Sequence, residues 1–467
     1  PTVRVRGIGS YPRSQGTEAP LYVVDGMFFD NIDFLNPTDI ATISVLKDAS
    51  AAAIYGVRAA NGVVLIETKA GKYGQKAQVT YDGYYGVQVA QNVLQMANAE
   101  QFTTMAYESG SAADIQYIEN AMQRYGRSRV NPNVPDVNTD WYKEVMRPAP
   151  IQNHSIGVMG GSEDATYSVG VGYFSQDGLL DMDNTFERFT LRTKVDYQAN
   201  DWLKIGANFN VSNSTNTGFD VGDSWRVAYY AVPIMPIYDE ENLDAWPVKY
   251  ASAQTLGYRD GKNPFPIMDF NRNEEKKRQV LANMYVKVDL IQDKLSFQST
   301  YNMGSTYMNR RNVDLPYFLT SNAQNAISAI VRRNETYYNQ IWDNVLTFNE
   351  AYGDHNVTVM AGMSFRDEAY DMLTARGEDL ASPFEEKSWY IAQANTIKTD
   401  DVNDDARRLY GLAYFGRVSY NYMDKYLVYG TMRADGSSKY QQKWGYFPSV
   451  GVGWVLSEEA FMDNLSA

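Results

Sequence analysis

The feature that most constrains this chain is a two-residue alternation that becomes persistent near residue 78. In 165–174, Tyr167, Val169, Val171 and Tyr173 share one face, and Thr166, Ser168, Gly170 and Gly172 the other. In 188–198, Phe189, Leu191, Val195 and Tyr197 oppose Arg188, Thr190, Arg192, Lys194, Asp196 and Gln198. In 203–212, Leu203, Ile205, Ala207, Phe209 and Val211 oppose Lys204, Gly206, Asn208, Asn210 and Ser212. The same rule runs through 357–366 and 449–454. A period of two belongs to strands with unlike faces. These segments run about 10–13 residues, against a usual length of about 5–6, and carry aromatics at their ends.

Loop lengths sharpen the reading. Twelve such segments are joined alternately by short connections (161–163, Asn200, 291–293, 351–354, 423–424) and long ones (91–150, 176–186, 214–277, 306–335, 368–408, 436–444). Short turns at one rim and long loops at the other are the arrangement of an outer-membrane β-barrel. A soluble sandwich shares the alternation but has no reason to keep that parity. The first long loop holds amphipathic helical segments at Asn98–Glu108 and Ala112–Tyr125, and a helical turn at Asp140–Met146.

Composition narrows the chemistry. The 467 residues carry 42 Lys+Arg against 56 Asp+Glu, a net charge of −14, which argues against nucleic acid as a partner. There are 36 tyrosines, suited to a membrane–water boundary. With no Cys there is no disulfide framework and no thiol chemistry, and the two histidines, His154 and His355, are far apart in sequence. No apolar run reaches the ~18 residues of a membrane-spanning helix. The chain opens inside a strand-like segment, Pro1–Gly7, so residue 1 is expected to be an internal start.

Residues 20–71 differ in kind and read as a small packed domain. Pro20–Asp25 is a β-branched run ended by the turn pair Asp25-Gly26, and Val63–Thr68 is a second buried strand. Asn36–Asp39 reads as a helix start with Thr38 as N-cap, and Ile40, Ile43, Val45 and Leu46 as an apolar stripe on that helix. Ser50–Tyr55 is a small-residue segment able to pack closely. A compact domain ahead of a long antiparallel barrel implies a stopper in a pore.

The stretches Val3–Gly7, Pro20–Gly26, Leu35–Ile40 and Ile43–Gly71 resemble the plug of SusC/RagA-type TonB-dependent outer-membrane transporters of Bacteroidota. Weaker likeness extends through Asn131–Trp141 and Ser449–Met462. The resemblance implies an all-β membrane protein, a 22-stranded antiparallel transmembrane barrel occluded by an N-terminal α+β plug. On that scheme residues 1–75 are the C-terminal part of the plug. Residues 76–467 are about twelve strands of an incomplete barrel, with extracellular loops near 91–150, 214–277, 306–335 and 368–408. Barrel diameter grows with strand number, and twelve strands alone would be too narrow for a plug. The family further implies active import of oligosaccharides or peptides across the outer membrane. A TonB-coupled pull, through a segment absent from this chain, shifts the plug. A SusD-like surface lipoprotein forms the lid, and the assembly is a dimer of such pairs in outer-membrane lipid. The alternatives are a passive porin or surface adhesin on a similar barrel, and a soluble β-rich binding protein.

Nothing resembles a nucleophile elbow, a phosphate-binding loop or a zinc motif, so no enzyme activity, cofactor or metal is expected. Asp400, Asp401, Asp404 and Asp405 offer oxygen ligands for Ca²⁺, but without the central glycine of an EF-hand they read as solvated loop charges. The plug's charged set is Arg4, Arg6, Asp25, Lys47, Asp48 and Arg58. Arg4 and Arg6 are expected to join a network with a polar wall, and Asp25 and Asp48 to hold the plug's own fold. The loop aromatics Trp225, Trp246, Trp389 and Tyr390 are candidates for contact with substrate or lid; packing within the loops explains them equally well.

Overall fold

The computed structural model describes residues 19–29, 31–46, 61–218, 223–258, 262–459 and 461–462. The strand-like segment 2–9 and the small-residue segment 50–55 lie outside the described residues.

The plug begins with β1 (Leu21–Val24), β2 (Met27–Phe29), β3 (Ile40–Leu46) and β4 (Val63–Thr68), ordered β2-β1-β4-β3. β1 runs parallel to β4, and the outer pairs are antiparallel. The two central strands are apolar on both faces. Leu21, Val23 and Val63 pack on one side, and Tyr22, Val24, Val64 and Ile66 on the other. The expected helix after Asn36 is absent. Asn36, not Thr38, is the cap: its side chain accepts from Thr38 N at 3.1 Å and closes a single 3₁₀ turn, Pro37–Asp39. The chain then extends into β3 against β4. Ile40, Ile43 and Val45 are β-branched, which suits a strand better than a helix, and the free edge of β4 decides between the two periods.

The wall is one twelve-stranded antiparallel sheet in sequence order. Its strands are β5 (Gln78–Gln88), β6 (Ala149–Gly161), β7 (Ala165–Asp177), β8 (Thr185–Asn200), β9 (Leu203–Thr217), β10 (Asn271–Ile291) and β11 (Leu295–Asp314). After a two-stranded hairpin, β12 (Tyr317–Thr320) and β13 (Ala323–Asn325), come β14 (Ala329–Tyr352), β15 (His355–Leu380), β16 (Ala394–Tyr422), β17 (Tyr426–Ser437) and β18 (Trp444–Trp454). All twelve alternating segments are wall strands, and the short turns at one rim alternate with long connections at the other. Among the described residues β5 and β18 do not pair with each other, so these twelve strands form an open wall.

The strands are longer than the alternation alone indicates. β15 has 26 residues and β16 has 29, whereas a tilted strand crosses a bilayer in ~9–11. Most of 306–335 and 368–408, expected as loops, is therefore strand standing above the membrane. Asp400, Asp401, Asp404 and Asp405 lie within β16, where Asp401 sits 3.7 Å from Arg376, and no metal-ligand cluster occurs among the described residues. Polar residues on both faces hide the strand period there, but the backbone ladder continues regardless.

Exposure on the wall is inverted relative to a soluble sheet. On β9, Ile205 and Phe209 are 41% and 40% exposed, whereas Asn208 and Asn210 are 6% and 7%. Tyr167, Val169, Val171 and Tyr173 on β7 also face out, and Thr166 and Ser168 are buried. Apolar outside and polar inside is the pattern that lipid requires of a strand wall.

The long connections fold together. α1 (Ala99–Ser109) starts in a capping box of Asn98 and Gln101, α2 (Ala112–Tyr125) is capped by Ser111, and α3 (Trp141–Glu144) by Asp140. With α4 (Asp223–Tyr230) and α5 (Phe265–Asp269) they share one apolar core, in which Ile118, Ile234, Met235, Leu256 and Met268 are fully buried.

Candidate functional site

The site is the contact between plug and wall. Leaving β4, the chain passes very close to the first wall hairpin. A Cβ on Gly71 would stand 2.1 Å from the Gly160 carbonyl oxygen, so only glycine fits. Gly74 N then donates to Ser162 O and Gly161 N to Gln75 O, each at 2.8 Å, which ties the exit of the plug to the short-turn rim.

Two buried charged groups fasten the plug above that point. Asp25 turns the β1–β2 hairpin with φ +47° and Gly26 with φ +85°, the left-handed pair of a tight hairpin turn. Its carboxylate, 5% exposed, accepts four hydrogen bonds. Two come from inside the plug, Thr68 N at 3.1 Å and Thr68 Oγ1 at 2.6 Å. Two come from the wall, Lys194 Nζ of β8 at 3.2 Å and Asn208 Nδ2 of β9 at 2.8 Å. Asp25 thus holds the plug's own fold and also joins it to the wall.

The second group is Arg192 of β8, 4% exposed. Its Nη2 donates to Asp39 Oδ1 at 3.1 Å, and its Nη1 to Lys69 O at 2.8 Å and to Ser168 Oγ of the neighbouring strand at 3.3 Å. Arg188, two inward positions along, donates to the Asp33 carbonyl and lies 5.5 Å from the Phe174 ring. Leu281 of β10 is the wall's apolar contribution, packed in the plug core with Val24, Phe34 and Ile66. Beside Asp25 a cavity of about 730 Å³ separates plug from wall, lined in part by Thr68, Asn283, Asp343 and Arg433.

Of the expected plug set, only Asp25 falls among the described residues; Arg4, Arg6, Lys47, Asp48 and Arg58 lie outside them. Sequence reasoning missed Asp39, read as a helix-end acid, and the wall partners Arg192, Lys194 and Asn208. Their signal was present: they are the cationic and amide members of the polar rows of β8 and β9.

The four loop aromatics do not converge. Trp225 packs into the loop core and stacks on Tyr142 at 6.2 Å. Trp389 also packs there, its Nε1 donating to Pro383 O at 2.7 Å beneath the Arg311 guanidinium. Trp246 and Tyr390 are half exposed, Trp246 edge-on to Phe384 at 5.7 Å and Tyr390 beneath Arg332 at 5.6 Å. In the same layer Tyr125 donates to Asp239 at 2.9 Å, and burial first, then the Asp239 charge, hold its hydroxyl well above the usual tyrosine range.

A family model described as the TonB-dependent receptor plug domain matches residues 1–63. TonB-dependent receptor SusC of Bacteroides thetaiotaomicron is 28% identical over 489 residues, covering 99% of this chain and 46% of its own length. The chain resembles the SusC/RagA type of TonB-dependent transporters along almost its whole length. TonB-dependent receptor P3 of Formosa agariphila is 29% identical over 473 residues, covering 99% of this chain and 43% of its own. The chain thus spans less than half the length of these curated relatives. The solved RagAB peptide transporter superposes with a TM-score of 0.78 at 22% identity, over 98% of this chain and 53% of that one. That likeness speaks for the fold, in which a plug stands inside an antiparallel transmembrane wall.

Proposed function

We propose that this protein acts in TonB-dependent active import of oligomeric nutrients, oligosaccharides or peptides, across the outer membrane of a Gram-negative bacterium of the Bacteroidota. Residues 1–75 serve as plug and 76–467 as wall and loops. Plug displacement is the gate, TonB supplies the pull, and a SusD-like lipoprotein covers the loop face in a dimer of transporter–lipoprotein pairs. Passage needs no covalent chemistry.

The observation that carries this reading is the kind of fastening at the plug. Asp25 and Arg192 each have partners on both sides of a polar interface. Deleting one partner of such a pair strands a buried charge, at a cost of ~3–5 kcal/mol. Withdrawing the whole plug returns both partners to water, so the net loss is far smaller. An interface of this kind holds at rest and releases under a pull.

The test is uptake of labelled oligosaccharides and peptides by cells carrying the protein, with TonB intact, with TonB deleted and with an uncoupler. Import is expected only in energised, TonB-positive cells. Equal uptake in all three would replace the importer with a porin, and no uptake in any would favour an adhesin.

A further inference from the structure

A second cavity, of about 540 Å³, lies above the plug, between its β2 tip and the wall. Its floor is Phe28 and Phe29 of the plug, and its walls include Lys277 of β10, Tyr337 of β14, Tyr370 of β15 and Arg407 of β16. Lys277 lies on the long-loop side of Leu281, the wall residue packed into the plug core, so the cavity faces the loop rim.

The charges around it are unequally used. Arg310 is paired with Glu275, Arg333 with Glu335, and Arg366 stands 3.6 Å from Glu368. Glu335 is further held by the Tyr337 and Tyr370 hydroxyls at 3.2 and 2.8 Å. Lys277 and Arg407 have no carboxylate within ion-pair distance among the described residues. Arg407 instead lies over the Tyr370 ring, 4.8 Å from its centroid, which steadies the guanidinium while leaving its donors unspent. The nearby carboxylates, including Glu368, which itself lines the cavity, thus have arginine partners, and two cations are left over beside the aromatic floor and wall.

We infer that this cavity binds a carboxylate-bearing segment of the transported oligomer, with Arg407 and Lys277 taking the carboxylate and Phe28 and Phe29 the adjoining apolar surface. A guanidinium matches a carboxylate in bidentate fashion, and a lysine adds a point charge. Because the floor belongs to the plug, an occupant touches the gate itself. The inference rests on the importer reading and names its substrate class as acidic oligomers, whether their carboxylates come from aspartate and glutamate or from uronic acids.

The test is calorimetry on the protein purified from outer membranes in detergent, with two matched pairs. One is a glutamate-rich hexapeptide and its glutamine counterpart, the other an oligogalacturonate and its methyl ester. At least one acidic member is expected to bind about tenfold or more tighter than its neutral counterpart, and more weakly as salt rises. Which acidic member does so names the source of the carboxylate. Lys277→Gln combined with Arg407→Gln is expected to remove the discrimination without changing the melting temperature. Equal binding within both pairs, no binding by any of the four, or discrimination that survives the double substitution overturns the inference. The pair comparison needs no variant, so a misfolded mutant cannot blunt it. Energy-dependent uptake of neutral oligomers alone would sink this inference and leave the importer intact; energy-independent uptake would sink the importer whatever the calorimetry.

Discussion

The plug interface and the loop layer are both held to the same wall, by opposite means. The loop layer shares a continuous apolar core with the ends of the wall strands, where Val313, Ile330 and Leu380 pack with Ile118, Met235 and Leu256. Among the described residues the plug touches the wall through charged groups and amides, with Leu281 the wall's one member of the plug's core cluster. Apolar burial accumulates with area and is lost only when surfaces part into water. Charge-assisted hydrogen bonds are specific in geometry but exchange readily for water. The contrast is between a layer built to stay and a stopper built to leave.

The strongest way to break that contrast is at Arg192. Arg192→Ala strands Asp39 and should loosen the plug by ~3–5 kcal/mol, read as faster hydrogen exchange across β1 and β4, with exchange in α1 and α2 unchanged. If the loop helices loosen equally, the two regions are one cooperative unit and the contrast fails. Met235→Ala is the mirror experiment. At a fully buried site in the loop core it should cost ~2–5 kcal/mol, seen as protease sensitivity of 91–148 and 218–270 with the plug still protected. Pairing Arg192→Met with Asp39→Leu sharpens the comparison. An apolar pair of similar bulk should recover most of the exchange protection lost in Arg192→Ala and retard gated uptake, because a greasy contact does not trade partners with water.

A smaller effect comes from pH. The Tyr125 proton is bound more tightly in the folded loop layer than in the unfolded chain, so its stabilisation is complete below the ordinary tyrosine pKa of ~10 and is lost as pH rises through the elevated folded value. Protease sensitivity of the loop layer should therefore increase above pH ~10, and less so in Tyr125→Phe. The smallest change is expected at Trp246→Ala, where a half-exposed ring contacts Phe384. Stability should move by only about ±0.5 kcal/mol, measured by thermal melting, so any larger effect on uptake would mark a contact with substrate or lid.

The amino-acid sequence by itself determined the wall. A two-residue period, long segments and the parity of short and long connections are local properties, and they located all twelve strands, as amphipathic spacing located the helical segments at Asn98–Glu108 and Ala112–Tyr125. It also determined the β1 and β4 strands of the plug, because continuous apolar runs bounded by turn pairs have few other uses. Tertiary structure decided the rest. Ile40–Leu46 satisfies a helical stripe and a strand alternation alike, and only the open edge of β4 selects the strand. Beyond the membrane, the polar faces of β15 and β16 carry no contrast to read, so only ladder pairing shows how far they run. The site itself needed three dimensions most. Asp25 and Lys194 are 169 residues apart, and Asp39 and Arg192 are 153 apart. A lone acid in a turn looks the same whether it caps its own hairpin or fastens a gate; the difference lies in which wall residue the fold sets opposite it.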